Sequence, residues 1–340
     1  MTIKDLSAKT GYSVGTISRV LNNHPHASEK ARKVILQAVE ESGFQLNENA
    51  KQLKQQRATS VLVVVKGTSN ELFSELMERI QPMVAKTGYP LIVDYMDEDA
   101  NEVLRAVQLC REKKPLGIIF LGGNSQNFRR DFHKIDIPCV LVTNDAAGQQ
   151  FPNLSSVFTD DREASRCAMD ALIQLGHRKI AIVGGDRCHS DTSRLRYEGC
   201  LQSFQTHGIA FDEERDYQGV RYSYLGGYQA TKKLLGDGRH FTALFAVADV
   251  MAIGAVRALK EAGLRVPEDV SVMGFDGLPL GSYLVPQLST VVQSAQLLAQ
   301  RSVDILIDNI ENGCRPRQEI VPFSIQQRES TRHIGEEIYA

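Results

Sequence analysis

One short segment near the amino terminus groups side chains that could bind DNA. Arg19 is accompanied by Thr16, Ser18 and Asn22, which are short hydrogen-bonding residues at nearby positions. An arginine guanidinium donates two hydrogen bonds to guanine O6 and N7 in the major groove, whereas Ser, Thr and Asn side chains suit phosphate oxygens. These residue types therefore predict that Arg19 reads a base and that its neighbours contact the phosphates of the DNA backbone. The alternative is the solvated polar face of a small helical bundle.

A second group of polar residues follows apolar runs in the rest of the chain. Asp249 comes shortly after the run 243–247, Asp276 follows the run 270–273, and Asn144 follows another run. If these runs are parallel strands, their carboxyl ends form the edge at which ligands bind. A carboxylate at position 276 can accept two hydroxyl hydrogen bonds from a sugar. The alternative role for this aspartate is a loop cap.

The sequence contains none of the common catalytic or cofactor patterns. It has no G-x-S-x-G, no metal-ligand spacing and no phosphate loop. Its six cysteines are scattered without a C-x-x-C pair, and neither His177 nor His189 belongs to a nucleophile arrangement. We therefore expect no enzyme activity, no metal and no cofactor.

Charge is distributed unevenly along the 340 residues. Residues 1–57 contain nine Lys or Arg and five Asp or Glu, a net charge of +4, whereas the remainder has 30 basic and 36 acidic residues, a net charge of −6. A basic segment on an acidic body favours a polyanion as the partner of that segment alone. Without a signal-peptide pattern or an apolar run that could span a bilayer, we expect a cytoplasmic, nucleoid-associated protein with no membrane partner.

Three short helices are predicted in the first 46 residues. Gly11 ends the first helix, Ser13 caps a second helix over Val14–Leu21, and a third begins after Ser28 and ends at Gly43. Two short helices joined by a glycine turn, with a third closing their core, follow the helix-turn-helix plan. The predicted inward-facing residues are Val14, Ile17, Val20 and Leu21 in the second helix and Ala31, Val34, Ile35, Ala38 and Val39 in the third.

From residue 59 onward, short apolar runs alternate with amphipathic helical stretches. This alternation is typical of βαβ units, which build a parallel sheet with helices on its faces. The predicted fold class of this part is therefore α/β, in two halves that each contain a parallel sheet. The predicted strands are 61–65, 91–93, 117–121, 139–142, 180–183, 243–247 and 270–273, followed by late strands at 291–292 and 319–323.

Taken together, these segments closely resemble the LacI/GalR family of bacterial transcription regulators. The resemblance covers nearly the whole chain, and its motifs are highly specific. The matching motifs are Thr2-Ile3-Lys4-Asp5-Leu6, Thr16-Ile17-Ser18-Arg19-Val20-Leu21-Asn22, Ser28-Glu29-Lys30, Gly176-His177-Arg178-Lys179-Ile180, Gly274-Phe275-Asp276-Gly277 and Pro286-Gln287-Leu288-Ser289-Thr290.

The resemblance implies an all-α helix-turn-helix headpiece, a hinge, and an effector-binding core with a periplasmic-binding-protein-like fold. The expected boundaries are 1–46 for the headpiece, 47–58 for the hinge and 59–340 for the core. The core is expected to form two interwoven lobes around a cleft, about 59–159 plus 290–319 and 160–289 plus 320–333. By resemblance, the chain dimerises through this core, so its operator should be a pseudo-palindrome in double-stranded DNA.

Base reading in this family uses the first two outward positions of the recognition helix and an arginine five residues after the first. Those positions are Val14, Gly15 and Arg19 in this sequence. Valine offers only apolar contact, for example to a thymine methyl group, and glycine offers no side chain. We therefore expect base reading by side chains to depend heavily on Arg19.

The stretch 47–57 is polar and basic, and by composition alone it reads as a flexible linker. It resembles the hinge helix of the family, which folds on operator DNA. The resemblance makes Leu53 an apolar wedge in the minor groove, where it would unstack a base step and bend the duplex. Ala50 would let two hinge helices approach closely, and Lys54 would meet phosphates.

The resemblance also assigns residues to an effector site in the cleft. Arg196 matches the family arginine that grips the effector, and Phe73 and Tyr222 match positions that often stack on a ligand ring. Asp249 and Asp276 complete the expected set. The alternatives are an ion pair between the lobes for the arginine and ordinary core packing for the two aromatic residues.

The predicted function is that of a ligand-responsive, sequence-specific DNA-binding regulator, a repressor of carbohydrate-related genes that acts as a homodimer. The expected effector is a sugar or a sugar phosphate, and a nucleobase or nucleoside is the alternative. A solute-binding protein for transport and an enzyme of sugar metabolism are less favoured. The basic headpiece argues against the first, and the missing catalytic pattern argues against the second.

Overall fold

The chain divides into two compact units, Met1–Arg57 and Ala58–Ala340. The computed structural model describes residues 3–21, 28–42, 59–68, 70–146, 148, 151–236, 238 and 240–335. The predicted hinge at 47–58 therefore lies outside the described residues. The same is true of four residues predicted to contact DNA, namely Asn22, Ala50, Leu53 and Lys54.

The described residues of the first unit form three helices, α1 (Ile3–Thr10), α2 (Val14–Leu21) and α3 (Glu29–Ser42), as predicted. Gly11 joins α1 to α2 with a φ of +73°, a backbone conformation that a glycine adopts without strain. Its amide donates to the Ser7 carbonyl at 3.0 Å, which ends α1. The core of this unit consists of Leu6, Ile17, Val20, Ala31, Ile35 and Ala38.

Two residues predicted to face this core are exposed instead. The exposed fractions are 36% for Val14 and 40% for Val34. In so small a unit, only a narrow stripe of each helix is covered by the other two. Val14 lies a turn before Ile17 at the open end of α2, and Val34 lies beside the buried stripe that Ile35 belongs to, so both fall on the edge of the covered face.

The second unit contains two six-stranded sheets that lie in separate lobes. The first sheet has the order β2-β1-β3-β4-β5-β11, with every pair parallel. Its strands are β1 (Val61–Lys66), β2 (Leu91–Met96), β3 (Gly117–Leu121), β4 (Cys139–Val142), β5 (Leu154–Phe158) and β11 (Gln318–Ile320). Strands β1, β3 and β4 are almost completely buried, as expected for a parallel sheet covered on both faces.

The second sheet has the order β7-β6-β8-β9-β10-β12, and only the pair β10 and β12 is antiparallel among its described strands. Its strands are β6 (Ile180–Gly184), β7 (Tyr217–Gly219), β8 (Ala243–Ala246), β9 (Ser271–Asp276), β10 (Ser289–Gln293) and β12 (Phe323–Gln326). The covering helices of both lobes are α4 (Glu71–Lys86), α5 (Glu102–Lys113), α6 (Ser125–Asp131), α7 (Asp161–Gln174), α8 (Asp191–Thr206), α9 (Glu213–Asp216), α10 (Tyr224–Gly236), α11 (Asp249–Glu261) and α12 (Ala295–Asn312).

The chain crosses between the lobes three times within the described residues, and one crossing differs from the prediction. Strand β10 pairs with β9 and β12 in the second sheet, so the boundary expected at residue 290 lies at Ser294 instead. The Ser294 hydroxyl caps α12, which packs against α4 of the first lobe. The predicted strand 319–323 is in fact two strands in different lobes, because Pro322 between them has no amide for a sheet hydrogen bond.

The parallel order directs the carboxyl ends of the strands in both lobes toward the space between the lobes. The loops that follow β1, β3 and β4 face the loops that follow β6, β7 and β9, and together they enclose a cleft. No helix in the described part of the chain is long and apolar enough to cross a bilayer.

Candidate functional site

Helix α2 presents the predicted base-reading positions to solvent. Ser13 caps this helix, since its hydroxyl accepts from the Thr16 amide at 3.2 Å. Ile17 is fully buried and fixes the helix against the core, which leaves Val14, Gly15 and Arg19 exposed. Of the predicted phosphate-binding residues, Thr16 and Ser18 are half-buried. Helix α2 thus packs one face against the core of the unit and exposes the opposite face, which carries Arg19.

The cleft between the lobes has a volume of about 1420 Å³. Four of the five predicted effector residues line it, and they come from both lobes: Phe73 from α4, Arg196 from α8, Tyr222 after β7 and Asp276 at the end of β9. Asn144, which follows β4, lines the cleft as well. The rule that ligand-binding residues follow strand ends accounts for most of these positions.

Arg196 is the central cation of the second-lobe wall. It is 3% exposed, its Nε donates to Asp161 at 2.8 Å, and its Nη1 lies 3.5 Å from Oδ1 of Asp276. Nη1 also donates to the Val247 carbonyl, and the guanidinium lies 3.6 Å from the centre of the Phe275 ring. Burial opposes its charge, but Asp161 and Asp276 outweigh this effect and raise the pKa of Arg196 above its ordinary value. The arginine is thus fixed by partners within its own lobe rather than by an ion pair between the lobes.

Asp276 presents a free acceptor to the cleft. Its Oδ1 accepts from Arg196 and from Gln293 at 2.9 Å, while no described residue donates to its Oδ2. Burial raises the pKa of Asp276 from 3.8 to about 6, and the attraction of Arg196 limits this rise. At neutral pH the carboxylate is therefore mainly ionised, with one oxygen available to a ligand hydroxyl.

Backbone strain is concentrated beside this acceptor. Asp276 has a φ of +121° and Thr143 has a φ of +73°, although neither is a glycine, and both residues line the cleft. Such conformations cost about 1–3 kcal/mol each and persist where the surroundings fix them. Arg196 and Gln293 hold Asp276 in this conformation, so its free oxygen stays in one position despite the strain.

Asp249 does not line the cleft, in contrast to the sequence prediction. It is fully buried, and its Oδ2 accepts the amides of Gly277 at 2.9 Å and Leu278 at 2.7 Å, while Oδ1 accepts the Thr290 hydroxyl at 2.6 Å. Burial and the nearby charge of Asp276 raise the pKa of Asp249 to about 8. Its role is to hold the turn that follows Asp276, which it does from behind the cleft wall.

The two predicted stacking residues differ in how much ring they present. Phe73 is only 6% exposed, and a Cβ added to Gly122 would lie 2.9 Å from its ring. Tyr222 is half-buried, its hydroxyl lies 2.8 Å from the Ser193 hydroxyl, and a Cβ added to Gly185 would lie 2.6 Å from its ring. Most of the Phe73 ring is therefore core, whereas Tyr222 forms part of the wall.

Sequence reasoning missed a buried ion pair on the first-lobe wall. Lys66, the last residue of β1, lines the cleft and pairs with Glu102, which is fully buried. Glu102 also accepts from the Asn124 amide at 2.6 Å and from the Asn127 side chain at 3.0 Å, so it shapes the loop that follows β3. Lys66 follows directly after the apolar run 61–65, and a polar residue after an apolar run is the same signal that identified Asp276. The sequence could therefore have indicated Lys66 as a cleft residue.

The two lobes are in direct contact across the cleft. Asn124 donates to the carbonyl of His189 at 2.8 Å, and the Ser125 amide donates to Asp191 at 2.8 Å. Asn144 donates to the Thr192 hydroxyl at 3.2 Å. The structure therefore represents a closed arrangement of the lobes.

The described residues contain no group of three or more His, Cys, Asp and Glu side chains that could hold a metal ion. His177, which could suggest catalysis, is completely buried between the Thr242 hydroxyl at 2.9 Å and the Arg332 carbonyl at 3.2 Å. Burial lowers its pKa to about 4, so it is neutral and structural.

A helix-turn-helix unit followed by a two-lobed cleft defines a ligand-responsive DNA-binding regulator, and comparisons with known proteins agree. Residues 2–47 match the bacterial regulatory proteins of the lacI family, and residues 169–331 match the periplasmic binding protein-like domain. The HTH-type transcriptional regulator MalR of Clostridium butyricum is 32% identical over 337 residues, which are 98% of this chain and 100% of that protein. The chain belongs to the LacI family and is a transcription regulator rather than an enzyme.

Solved structures of relatives support the same fold. The Lac repressor dimer bound to operator and the anti-inducer ONPF has a TM-score of 0.77 and 26% identity, and the similarity covers 98% of this chain and 99% of that one. A LacI family regulator from Enterococcus faecium with bound ribose has a TM-score of 0.69 and 25% identity, covering 81% of this chain and 100% of that one.

Proposed function

We propose that this chain is a homodimeric repressor that binds a pseudo-palindromic operator and responds to a neutral sugar bound in the cleft. The observation that carries the choice of effector is the free Oδ2 of Asp276, held beside a buried arginine on the cleft wall. An ionised carboxylate accepts hydroxyl hydrogen bonds and has no donor to offer, which suits a polyhydroxylated ligand. The ribose-bound relative from Enterococcus faecium supports a sugar of this kind.

The geometry favours a sugar hydroxyl over a sugar phosphate at this end of the cleft. Arg196 has its Nε committed to Asp161 and its Nη1 committed to Val247 and Asp276, which leaves only Nη2 without a described partner. A guanidinium grips phosphate best with two parallel donors, and that fork is already used here. The excess of buried carboxylates around one arginine also opposes an anion.

A nucleobase or nucleoside is the second candidate, because an arginine, an aspartate and an aromatic ring can recognise it too. Base stacking needs an open ring face, and Phe73 is 6% exposed. Two other aromatic residues on the described cleft wall, Tyr197 and Tyr217, are 6% and 8% exposed, so Tyr222 would have to supply most of the stacking surface. The sugar is therefore the better fit.

DNA binding is assigned to the polar face of α2. Arg19 would read a guanine in the major groove, Val14 would contact a thymine methyl, and Thr16 and Ser18 would contact phosphates. Within the hinge, Leu53 is proposed as the minor-groove wedge, with Ala50 at the helix crossing and Lys54 on the backbone. The regulator would act on the chromosome in the cytoplasm.

Dimerisation is proposed to bury apolar side chains that the second lobe exposes. Tyr283 is 81% exposed and Val285 is 95% exposed, both just before β10, and Leu225 at the start of α10 is 62% exposed. Tyr283 and Val285 lie two residues apart in one segment, and contiguous exposed apolar side chains are typical of a protein interface. A two-fold dimer would present two copies of α2 to two operator half-sites.

Regulation would follow from a difference in effector affinity between the conformations that bind and release DNA. Residues from both lobes line the cleft, so a bound sugar joins the lobes and favours the closed arrangement. A ligand can shift the equilibrium only by as much as its affinities for the two states differ.

The test combines operator selection with one pair of variants. The full chain is used to select sequences from random double-stranded DNA, and binding to the selected site is measured for Arg19→Ala and for Lys33→Ala. Lys33 is exposed on α3, and its replacement by alanine removes the same charge from the same unit as Arg19→Ala does. We expect Arg19→Ala to lose specific binding, by about 1–3 kcal/mol per half-site, while Lys33→Ala changes affinity only through general electrostatics. Equal losses in both variants, or no sequence enrichment, would exclude the proposed reading mode.

A further inference from the structure

The loop between β7 and α10 reaches across the cleft and touches the first lobe at several points. Arg221, in this loop, donates to Oδ1 of Asp97 at 2.7 Å and lies 2.9 Å from Oε1 of Glu98. The same guanidinium also pairs with Asp99. The acidic run 97–99 directly follows β2, so the contact joins the edge strand of one sheet to the edge strand of the other.

One neighbour of Arg221 strengthens this bridge, and another belongs to the candidate effector site. The Tyr224 hydroxyl donates to Glu71 at the start of α4, and Tyr222 directly follows Arg221 in the loop. Tyr222 is also part of the cleft wall. The bridge therefore places a residue of the candidate effector site in addition to joining the lobes.

The chemistry of the bridge differs from that of the cleft floor. Arg221 is 56% exposed, Asp97 is 59% exposed and Asp99 is 80% exposed, whereas Arg196 and Asp276 are almost completely buried. Attraction between exposed charges is screened by salt over a Debye length of about 10 Å at 0.1 M. A buried pair is screened much less. Salt should therefore weaken the bridge while leaving the floor of the cleft intact.

We propose that the β7–α10 loop and the acidic run 97–99 form an electrostatic latch that holds the core closed before the effector binds. The proposal rests on the proposed function, because it describes how the effector site of that regulator is controlled. Three carboxylates around one guanidinium repel each other when the lobes separate, and closure with Arg221 relieves that repulsion.

The latch sets how much of the protein is ready for the effector. The apparent affinity of a ligand falls in proportion to the fraction of protein in the binding-competent state. Loss of an exposed ion-pair bridge shifts such an equilibrium by about 1.4- to fivefold. Effector affinity should therefore fall by up to this factor when Arg221 is neutralised, and the salt dependence of closure should disappear with it.

Hydrogen exchange of the full chain tests the latch without any effector. The reporter is the Ser125 amide, which donates to Asp191 across the cleft and does not touch the latch. Exchange is followed in wild type, Arg221→Gln and Arg221→Lys at about 0.03 M and about 0.5 M NaCl. Arg265→Gln is the matched control, because Arg265 is an exposed arginine of the second lobe that pairs with Asp269 in the same lobe.

We expect exchange at Ser125 to be about 1.4- to fivefold faster in Arg221→Gln than in wild type at low salt. At high salt wild type should approach the variant, and Arg265→Gln should match wild type at both salt concentrations. The triple variant Asp97→Asn/Glu98→Gln/Asp99→Asn removes all three partners of Arg221 and should show the same effect, and adding Arg221→Gln to it should change nothing further. Equal protection at Ser125 in wild type and Arg221→Gln at low salt, with both chains folded by thermal denaturation, overturns the latch. Failure of wild type to bind a selected operator would refute the proposed function instead. The exchange experiment uses neither DNA nor effector, so its result does not depend on that outcome.

Discussion

Replacing Asp276 by asparagine separates effector recognition from folding. Asparagine has the same shape, and its carbonyl oxygen can keep the hydrogen bonds that Oδ1 accepts from Gln293 and Arg196. The free Oδ2 becomes an NH₂ group, which donates where the effector hydroxyl needs an acceptor. A hydrogen bond to a charged group contributes about 1.5–3 kcal/mol, so the Kd for the effector should rise about 10- to 150-fold.

Stability should change in the opposite direction. Burial raises the pKa of Asp276 from 3.8 to about 6, so the folded chain holds this proton more tightly than the unfolded chain. The resulting stability is complete below about pH 4 and is lost as the pH rises to about 6. The Asp276→Asn variant lacks this titration. It should therefore gain stability relative to wild type over that range, by at most about 3 kcal/mol.

The assay pairs calorimetric titration with thermal denaturation at pH 5 and pH 8. The ligand is the neutral sugar that most raises the Tm of the wild-type chain in a screen, since binding to the folded state alone raises Tm by mass action. Gln293→Glu is unsuitable as a control because it adds a buried charge, so Asp186→Asn at the exposed cleft rim serves instead. An unchanged Kd in Asp276→Asn removes this residue from the site. A variant that is less stable than wild type at pH 8 refutes the electrostatic reasoning.

Two further substitutions test the parts that hold the site. Asp249→Ala should destabilise the core by about 3 kcal/mol or more in urea denaturation, because the amides of Gly277 and Leu278 and the Thr290 hydroxyl lose their acceptor; a loss below about 1 kcal/mol would contradict the role of the carboxylate. Gly185→Ala should weaken effector binding with little change in operator affinity, because its Cβ would lie 2.6 Å from the Tyr222 ring and closer still to the Ser193 hydroxyl, which would displace this hydrogen-bonded pair. An unchanged Kd for the sugar would show that the ring has no part in the site.

The headpiece could be predicted almost completely because its signals are local. The bounds of α2 follow from a serine cap and a glycine turn, both within a few residues of the helix, and α3 likewise begins directly after Ser28. Burial was harder to predict than helix position. Val14 and Val34 have helical spacing, yet which side of a helix is covered depends on where its neighbours cross it.

Strands that lack an apolar signature were missed in the core. Strand β5 carries two serines in five residues, and β7 has only three residues, so neither forms an apolar run. Both are positioned by hydrogen bonds to neighbouring strands that lie far away in sequence. The predicted runs at β1, β3, β4, β6, β8 and β9 were confirmed because parallel strands buried on both faces need continuous apolar residues.

Sequence position could not separate residues on the cleft wall from residues behind it. Asp249 and Asp276 both follow strands, yet only Asp276 lines the cleft, because Asp249 starts α11 beneath the turn that follows β9. The Lys66–Glu102 pair and the Arg221 bridge join residues 36 and more than 120 positions apart. Such pairs depend on the order of the strands, which the residues themselves do not reveal.

We propose above that a sugar held by Asp276 changes operator affinity. The most direct test is a fluorescence anisotropy titration of the selected operator with wild type and Asp276→Asn, each with and without the sugar identified by thermal shift. We expect the sugar to shift the operator Kd of wild type and to leave that of the variant unchanged, while both proteins bind the operator equally without sugar. Equal shifts in both proteins, or no shift in wild type, would contradict it.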